Sequence, residues 1–276
     1  FSIMSNIISD IIYTFIMSIA HVASKKGKRE KNEDKLCVMT YLKSKNKKYA
    51  KANFFAVYDG HGGNFVSSFL EKYLPKCFMH PDLKYPVKKD YIRDVFATLD
   101  TELGKNEKSH ECGSTCVSII QYKDPRSESN LIDVYNVGDS RCVACDNNFI
   151  AQQLSYDHKP MNPLEKRRLL SLGANIGANK EIWNDNGDWR IIDLSVSRSF
   201  GDFSSKKYVS SQPDIFTYDT AHMNFLVIAC DGLWDVMTNQ QVIDFIVEKA
   251  YTDNLKIIPD VKQQKQNIAS KLVDHA

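Results

Sequence analysis

Two strongly apolar runs in this chain each stop at an aspartate that is followed by a glycine. The run over residues 53–58 stops at Asp59, and the run over residues 225–229 stops just before Asp231. Short apolar runs bounded by turn residues predict buried strands. A carboxylate directly behind such a strand is held rigidly at the end of a sheet, so the pattern predicts acidic groups along the rim of a sheet-containing domain.

Other segments predict a mixture of helices and short strands. Helical spacing or capping residues predict helices over residues 66–74, 91–103 and 163–172, after Thr238, and from about residue 260. Strand-like runs cover residues 36–39, 115–122, 131–137 and 141–144, and a Lys-rich hairpin loop is predicted over residues 43–51. Helices separated by runs of short strands favour one α+β domain, with helices packed outside antiparallel sheets.

The charge balance limits the classes of partner. The chain has 276 residues, with 36 Lys and Arg against 34 Asp and Glu, which gives a formal net charge of +2. A balance this close to neutral provides no chain-wide field for holding nucleic acid or acidic lipid. We therefore expect no nucleic-acid partner.

The cysteines argue against a disulfide framework. There are 7, an odd number, in a chain too long for a disulfide-stapled miniprotein, so we expect reduced thiols and a cytoplasmic or nuclear location. Cys112 with Cys116, and Cys142 with Cys145, are spaced like half zinc sites. Because the second pair lies in a strand-like run, where side chains alternate in direction, a zinc or redox role is the less favoured interpretation.

Residues 1–20 form an apolar N-terminal extension ahead of a domain over residues 21–276. The uncharged part, residues 11–20, is shorter than the roughly twenty apolar residues that a membrane-spanning helix needs. The segment predicts a packing helix followed by a first strand around residues 18–23. Membrane association or targeting is the alternative. The sequence leaves the oligomeric state open.

More acidic residues fall at predicted strand ends. Asp139 lies in a turn between two strand-like runs, and Glu33 and Asp34 directly precede another. Carboxylates that meet at one rim repel one another unless a cation neutralises them, and oxygen ligands favour Mg²⁺ or Mn²⁺ over zinc. The alternative for each is an ordinary turn, since Asp-Gly is a common turn dipeptide.

Three basic residues have both a functional and a structural interpretation. His61, beside a metal carboxylate, is able to donate a proton to a leaving group, or it is simply structural. Arg29 is suited to gripping a phosphate with its guanidinium fork, or it belongs to a solvated basic loop. Arg198 fits phosphate binding and a structural ion pair equally well.

Together these segments resemble the metal-dependent protein serine/threonine phosphatases of the PP2C (PPM) family. The matching stretches follow the family order and are R-E-K-N-E-D at residues 29–34, F-A-V-Y-D-G-H-G-G at 55–63, G-S-T at 113–115, N-V-G-D-S-R at 136–141, D-H-K-P at 157–160, N-P-L-E at 162–165, L-S-V-S-R at 194–198 with G-D at 201–202, Q-P-D at 212–214 and C-D-G-L-W-D at 230–235. Each stretch alone is weak, but their common order makes a chance match improbable.

The resemblance implies two face-to-face antiparallel β-sheets flanked by α-helices, with a binuclear Mn²⁺ or Mg²⁺ centre and room for a third ion. It implies that a metal-activated water hydrolyses phosphoserine and phosphothreonine in phosphoprotein substrates without a phosphoenzyme. The implied metal residues are Asp59 as the bridge, Gly60 through its carbonyl, Asp231 as a ligand, Glu33 through a water with Asp34 alongside, and Asp139, Asp231 and Asp235 at the third position.

The resemblance also implies roles for residues around the metals. Arg29 binds the substrate phosphate, and His61 is the general acid. Residues 162–188, approximately, form a flap beside the substrate cleft. Asp202, Asp214 and Arg198 fall in stretches that we interpret as supporting the site or the fold.

One departure from the family keeps two rival functions open. The family adds a further metal-ligand aspartate in an Asp-Asn pair followed by a final strand, and we expect neither within this sequence, which ends at Ala276. The rivals are a catalytically impaired domain that acts as a binding or regulatory module, and a metal-dependent nuclease or phosphodiesterase. The retained acidic set argues against the first, and the lack of a clear basic track argues against the second.

Overall fold

Most of the helices and strands that the sequence patterns predict are present, in the predicted order. The computed structural model describes residues 8–14, 19–27, 29–40, 52–80, 83–254 and 256–276. The strands are β1 Ile8–Thr14, β2 Ile19–Lys25, β3 Lys35–Met39, β4 Asn53–Tyr58, β5 Gly60–His61, β6 Gly113–Ser114, β7 Cys116–Lys123, β8 Asn130–Val137, β9 Arg141–Asp146, β10 Ala151–Gln153, β11 Ile182–Asp185, β12 Asp188–Ile191, β13 Phe200–Gly201, β14 Asp214–Asp219 and β15 Met223–Ala229. The α-helices are α1 Phe65–Cys77, α2 Lys89–Leu103, α3 Pro163–Ser171, α4 Asp231–Trp234, α5 Asn239–Ala250, α6 Pro259–Lys262 and α7 Ile268–His275.

Two antiparallel sheets carry most of these strands. Within the described residues each has five strands, in the orders β10-β9-β15-β1-β2 and β14-β8-β7-β4-β3. The two strands that end at Asp-Gly lie inside the sheets: β15 is central in the first, and β4 lies between β7 and β3 in the second. A short sheet, β13-β6-β5, and a ribbon, β11-β12, complete the β structure of the described residues.

The period-two pattern of the strands divides the core into layers. In β4, Phe55 and Val57 belong to the cluster between the two sheets, whereas Phe54, Ala56 and Tyr58 pack on the opposite face with α1 and α2. In the other sheet, alternate residues of β15 likewise point either to the inter-sheet cluster or to a cluster with α5 and α7. The result is the predicted α-β-β-α sandwich, in which each fully buried Phe or Leu stabilises the fold by roughly 1.5–3 kcal/mol.

The helix predicted in the N-terminal extension is wrong. Residues 8–14 form β1, which pairs with both β15 and β2 in the first sheet. The strand predicted around residues 18–23 is confirmed as β2. A short apolar run is compatible with either a helix or a buried strand, and the partner strands, which are distant in sequence, decide between them.

The last predicted helix differs in detail from the structure, whereas the predicted cap of α5 is confirmed. The last helix is split into α6 and α7, because Gln264, with φ of 57°, interrupts it. Thr238 caps α5 in the predicted capping box with Gln241.

The hairpin loop predicted over residues 43–51 lies outside the described residues. Among the helices that the structure describes, none has the length and apolar character needed to span a membrane.

The side chains of Cys142 and Cys145 lie on opposite faces of their sheet, so these two thiols do not face a common site. Cys142 packs between the sheets while Cys145 packs on the helix side of β9, as the alternation of the strand predicted. None of the seven cysteines forms a disulfide bond.

Candidate metal centre

Acidic side chains from four segments meet at the ends of the buried strands. Asp59 follows β4, Asp231 opens α4 behind β15, and Asp139 lies in the turn between β8 and β9. Asp34 is buried just before β3, and its charge and that of Asp139 act on Asp59. Possible metal-binding atoms of Asp59, Asp231 and Cys230 all lie within 4.8 Å of one another. The acidic rim predicted from the sequence is therefore present.

Thr115 fixes the backbone beneath two of these carboxylates. Its N–H donates to the Asp59 carbonyl at 2.9 Å, and its Oγ1 accepts from the Asp59 N–H at 3.2 Å. The same hydroxyl lies 2.7 Å from the Oγ of Ser140, the residue after Asp139. Thr115 thus holds the two turns side by side, which explains the presence of a threonine in the G-S-T stretch.

The crowding of charge is visible in the pKa values. Burial, and then the charges of Asp231, Asp34 and Asp139, raise the pKa of Asp59 well above its ordinary range. Burial and Asp139 also raise the pKa of Asp231 to about 7, although Lys159 acts in the opposite direction. Carboxylate oxygens of Asp59 and Asp231 lie within 4.8 Å of each other, so the two charges repel one another strongly.

This donor set fits a divalent cation. Buried carboxylates that lie this close repel one another, and a bound divalent cation would neutralise that repulsion. The donors are mainly carboxylate oxygens, which Mg²⁺ and Mn²⁺ prefer, and Cys230 adds one sulfur within the same distance. Asp59 and Asp231 are the residues best placed to hold such an ion, with Asp34 and Asp139 beside them.

Lys159 belongs to the centre, although the sequence patterns did not single it out. Its ammonium group pairs with the Asp139 carboxylate, which is only 2% exposed. The pKa of Lys159 is raised: burial lowers it, but the charges of Asp139, Asp231 and Asp235 more than compensate. The D-H-K-P stretch was the available signal, but nothing in it shows that the lysine reaches a turn 20 residues away.

Gly60 is required by the close approach of the loop before β3. A Cβ at position 60 would collide with the backbone carbonyl of Glu33 and the hydroxyl of Ser67. That hydroxyl donates to the Glu33 carbonyl at 2.5 Å, which ties the loop to α1. The backbone of Glu33 is thereby held beside Gly60, and the role of its side chain near a metal stays a prediction.

His61 is anchored by an aspartate far away in the sequence. Its Nε2 lies 2.9 and 2.8 Å from the two carboxylate oxygens of Asp202, 141 residues further along the chain. Burial lowers the pKa of His61, but the hydrogen bond and charge of Asp202 outweigh this effect and the pKa is raised. The imidazole is therefore held in one orientation beside Asp59.

The family assignment follows from the match along the chain. The sequence model of the family described as Protein phosphatase 2C matches residues 20–276. The chain belongs to the protein phosphatase 2C family. Its relatives include a PP2C-like domain-containing protein of Acanthamoeba polyphaga mimivirus, 40% identical over 158 residues, which are 54% of this chain and 88% of that protein.

Longer protein phosphatase 2C relatives match more of the chain. Protein phosphatase 1L of Bos taurus is 32% identical over 244 residues, which cover 83% of this chain and 63% of the bovine protein. A probable protein phosphatase 2C of Caenorhabditis elegans is 36% identical over 214 residues, 72% of this chain and 55% of the worm protein. The chain thus spans about 55–63% of the length of these two relatives.

Solved structures share the fold at lower identity. A phosphatase from a pathogenic strain of Toxoplasma gondii has a TM-score of 0.70 at 20% identity, covering 97% of this chain and 90% of that one. A C. elegans sex determining protein has a TM-score of 0.72 at 20% identity, covering 97% of this chain and 61% of the other. Both confirm the predicted sandwich architecture.

Two residues expected at the protein phosphatase 2C centre are exposed. Asp235 follows α4 and is exposed, and its pKa is raised. Burial is the largest cause of this rise, the charge of Lys159 opposes it, and the charge of Asp139 adds to it. Arg29 is exposed, and among the described residues its side chain forms no hydrogen bond or ion pair. Its role as the phosphate ligand stays a prediction.

Arg198 forms structural ion pairs. Its guanidinium donates to Glu165 at 2.6 Å and to Asp214 at 3.0 Å, and Asp214 in turn lies 3.1 Å from Nε2 of His158. Nδ1 of His158 accepts the N–H of Gly138, next to Asp139. This network links the start of the predicted flap to the turn that carries one carboxylate of the centre.

The segment predicted as the flap shares a small apolar core with residues that follow it in the chain. Residues 162–188 contain α3 and most of the β11-β12 ribbon. Leu169, Ile182 and Ile191 pack there with Tyr208 and other apolar residues. Its role beside a substrate cleft stays a prediction.

Proposed function

We propose that this chain hydrolyses phosphoserine and phosphothreonine in phosphoprotein substrates, using Mn²⁺ or Mg²⁺ held by the acidic centre. The observation that carries the proposal is the close approach of the Asp59 and Asp231 side chains within 4.8 Å, together with buried Asp34 and Asp139 and the Lys159 ammonium group paired with Asp139. A cluster of this kind is costly to a fold, because like charges are buried together. Its presence in a protein phosphatase 2C domain supports a working metal centre rather than a scaffold.

The metal would supply Lewis-acid chemistry at this centre, withdrawing charge from a water molecule and from phosphate oxygens. Asp59 and Asp231 would hold two ions, and Asp139 with Asp235 would serve a third. Gly60 allows the Glu33 loop to close against the centre, which keeps Glu33 and Asp34 within reach of it.

The chain's own basic residues complete the chemistry. Arg29, on the exposed loop before β3, is free to grip the phosphate oxygens of an incoming substrate. His61 stands beside Asp59 with its ring held by Asp202, and donates the proton that the departing serine or threonine oxygen needs. The attacking group is water, so no side chain of the centre is expected to carry the phosphoryl group.

The test is hydrolysis of a phosphothreonine peptide and of para-nitrophenyl phosphate, with Mn²⁺, with Mg²⁺ and with a chelator. We expect activity that requires the metal and that falls by at least about a hundredfold in Asp59→Asn, because one charge of the metal-binding pair is lost. Asp253→Asn is the matched control, since Asp253 lies in an exposed turn after α5.

Each other outcome rejects the proposal. Full activity in the chelator, or an unchanged rate in Asp59→Asn, would rule out the metal centre. A folded wild-type chain that binds a phosphopeptide without hydrolysing it would be a binding module, and cleavage of DNA in place of phosphopeptide would indicate a nuclease.

A further inference from the structure

The short sheet β13-β6-β5 places three separate segments in register beside the metal centre. His61 of β5 pairs with Gly113 of β6, and Gly113 pairs with Gly201 of β13. Asp202 directly follows that pair. A sheet of two-residue strands buries little apolar surface, so it contributes little to stability. Its main effect is to place Asp202 opposite His61.

Asp202 is fixed in an uncommon conformation. Its backbone φ is 49°, in the left-handed region that non-glycine residues seldom occupy. Its N–H donates to the carbonyl of Cys112 at 3.1 Å, and Ser199 donates to its carboxylate. The residue is 4% exposed. The surrounding structure thus compensates the strain of a conformation that aims this carboxylate at the His61 ring.

The His61–Asp202 contact leaves no room for a side chain at Gly113. A Cβ at position 113 would collide with the Asp202 carboxylate and with Nε2 of His61. No larger residue fits there while the pair keeps its place. The glycine of the G-S-T stretch is therefore explained by the His61–Asp202 contact.

We propose that Asp202 is the positioning residue for His61, holding the ring through Nε2 so that Nδ1 is the atom that donates the proton to the leaving oxygen. A carboxylate only accepts hydrogen bonds, so Nε2 carries the hydrogen in this pair. Among the described residues none forms a hydrogen bond with Nδ1, which leaves that atom for the substrate. This inference rests on the proposed function.

Two leaving groups separate positioning from general stability. A serine or threonine alkoxide needs a proton as it departs, whereas para-nitrophenolate leaves without one. We expect Asp202→Asn to lower kcat on a phosphothreonine peptide about 10- to 100-fold with little change in KM, and to change the rate on para-nitrophenyl phosphate less than about threefold. Asparagine tolerates the left-handed conformation, so this variant keeps the backbone.

Two controls sharpen the result. Asp100 accepts the N–H of Gly201 at 2.9 Å and pairs with Lys206 at 2.8 Å, in the same loop but away from His61. Asp100→Asn should therefore affect both substrates by the same factor. In a His61→Gln background, Asp202→Asn should cause no further loss on the peptide.

A second readout is independent of turnover. Nitrogen-15 NMR of the histidine ring in the metal-free chain should show Nε2 protonated in the wild type and a change of tautomer or ring signal in Asp202→Asn. Equal losses on both substrates, or an unprotonated Nε2 in the wild type, would overturn the inference. If the wild type hydrolyses neither substrate, the proposed function fails, and the NMR result alone decides the positioning of His61.

Discussion

Asp139 shows, at the scale of single residues, how the centre balances its charge. The carboxylate is almost fully buried, and Lys159, whose side chain is 35% exposed, is paired with it. The lysine compensates part of the negative charge that also raises the pKa of Asp59 and Asp231. We therefore expect the ammonium group and a divalent cation to compete for this carboxylate.

Lys159→Met should destabilise the metal-free protein and strengthen its response to metal. Removal of the ammonium group leaves Asp139 buried without its partner, at a cost of about 2 kcal/mol after allowance for the exposure of the lysine. Thermal unfolding should show a lower Tm without metal and a larger rise in Tm with Mn²⁺ than the wild type shows. Lys249→Met, in an exposed pair with Glu248, is the control. An unchanged metal-free Tm in Lys159→Met would contradict this description of the charge balance.

The residues of the centre were predictable from the sequence only where a local pattern marks them. Asp59 and Asp231 stand directly behind apolar strands, so burial and position could be predicted together. No local pattern identifies Lys159 or Asp202, because their contacts join residues that are distant in the sequence. Lys159 pairs with Asp139, 20 residues away, and Asp202 contacts His61, 141 residues away. Tertiary approach, rather than local propensity, gives these two residues their place in the site.

At the scale of elements, α3 is attached to the sandwich through one buried carboxylate. Glu165, which is 1% exposed, lies 2.8 Å from Arg168 and 2.6 Å from Arg198, and Ser197 donates to it at 2.7 Å. Burial raises the pKa of Glu165, but the two arginines outweigh burial and lower the pKa to about 2. The attachment therefore depends on an ionised glutamate.

Glu165→Gln should destabilise the fold by about 3 kcal/mol at pH 7, because two buried guanidinium groups lose their shared charge partner. The lowered pKa means that this stabilisation is fully present above about pH 4.3 and is lost as the pH falls toward 2. Urea unfolding across that range should show the difference between wild type and variant shrinking on acidification. Glu102→Gln, in an exposed pair with Lys105, should differ little from the wild type at any pH. A difference of Glu165→Gln that stays constant down to pH 3 would refute this explanation.

The packing of α5 to α7 on β2 covers a histidine. His21 is 4% exposed in a small cavity lined by Phe225, Ile246, Tyr251 and other mostly apolar residues. Burial lowers the pKa of His21, and within the described part of the chain nothing hydrogen-bonds its Nε2. The neutral ring therefore suits the folded state.

Acidification below about pH 6.5 should weaken this packing, because the unfolded chain protonates His21 before the folded chain does. The stability of the wild type should fall between pH 7.5 and 5 by more than that of His21→Gln, as measured by urea unfolding. His222→Gln, at an exposed position, should follow the wild type. If His21→Gln shows the same pH dependence as the wild type, the histidine does not titrate on unfolding in this range.

The wrong helix prediction at β1 shows that the sequence pattern of one element does not identify its partner strands. Its apolar run was compatible with a helix, and β15 and β2 decide the matter by pairing with it on both sides. β4, in contrast, was predicted correctly because turn residues bound its short run on the C-terminal side. Period alone does not distinguish a short buried helix from a strand between two others.

At the scale of the whole molecule, the two sheets form a rigid frame that directs acidic strand ends from distant segments to one place. The order of the sequence stretches was enough to predict the α-β-β-α sandwich, since together they span most of the domain. The cytoplasmic or nuclear location stays a prediction. We propose that the acidic centre around Asp59 and Asp231 binds divalent cations.

Isothermal titration calorimetry of the metal-free chain with Mn²⁺ tests whether this centre binds divalent cations. We expect saturable binding to the wild type and to the exposed-site control Asp253→Asn, and loss of at least one bound ion in Asp59→Asn, which removes a charge from the buried pair. Wild-type protein that binds neither Mn²⁺ nor Mg²⁺, or an Asp59→Asn variant that binds as many ions with the same affinity, would contradict it.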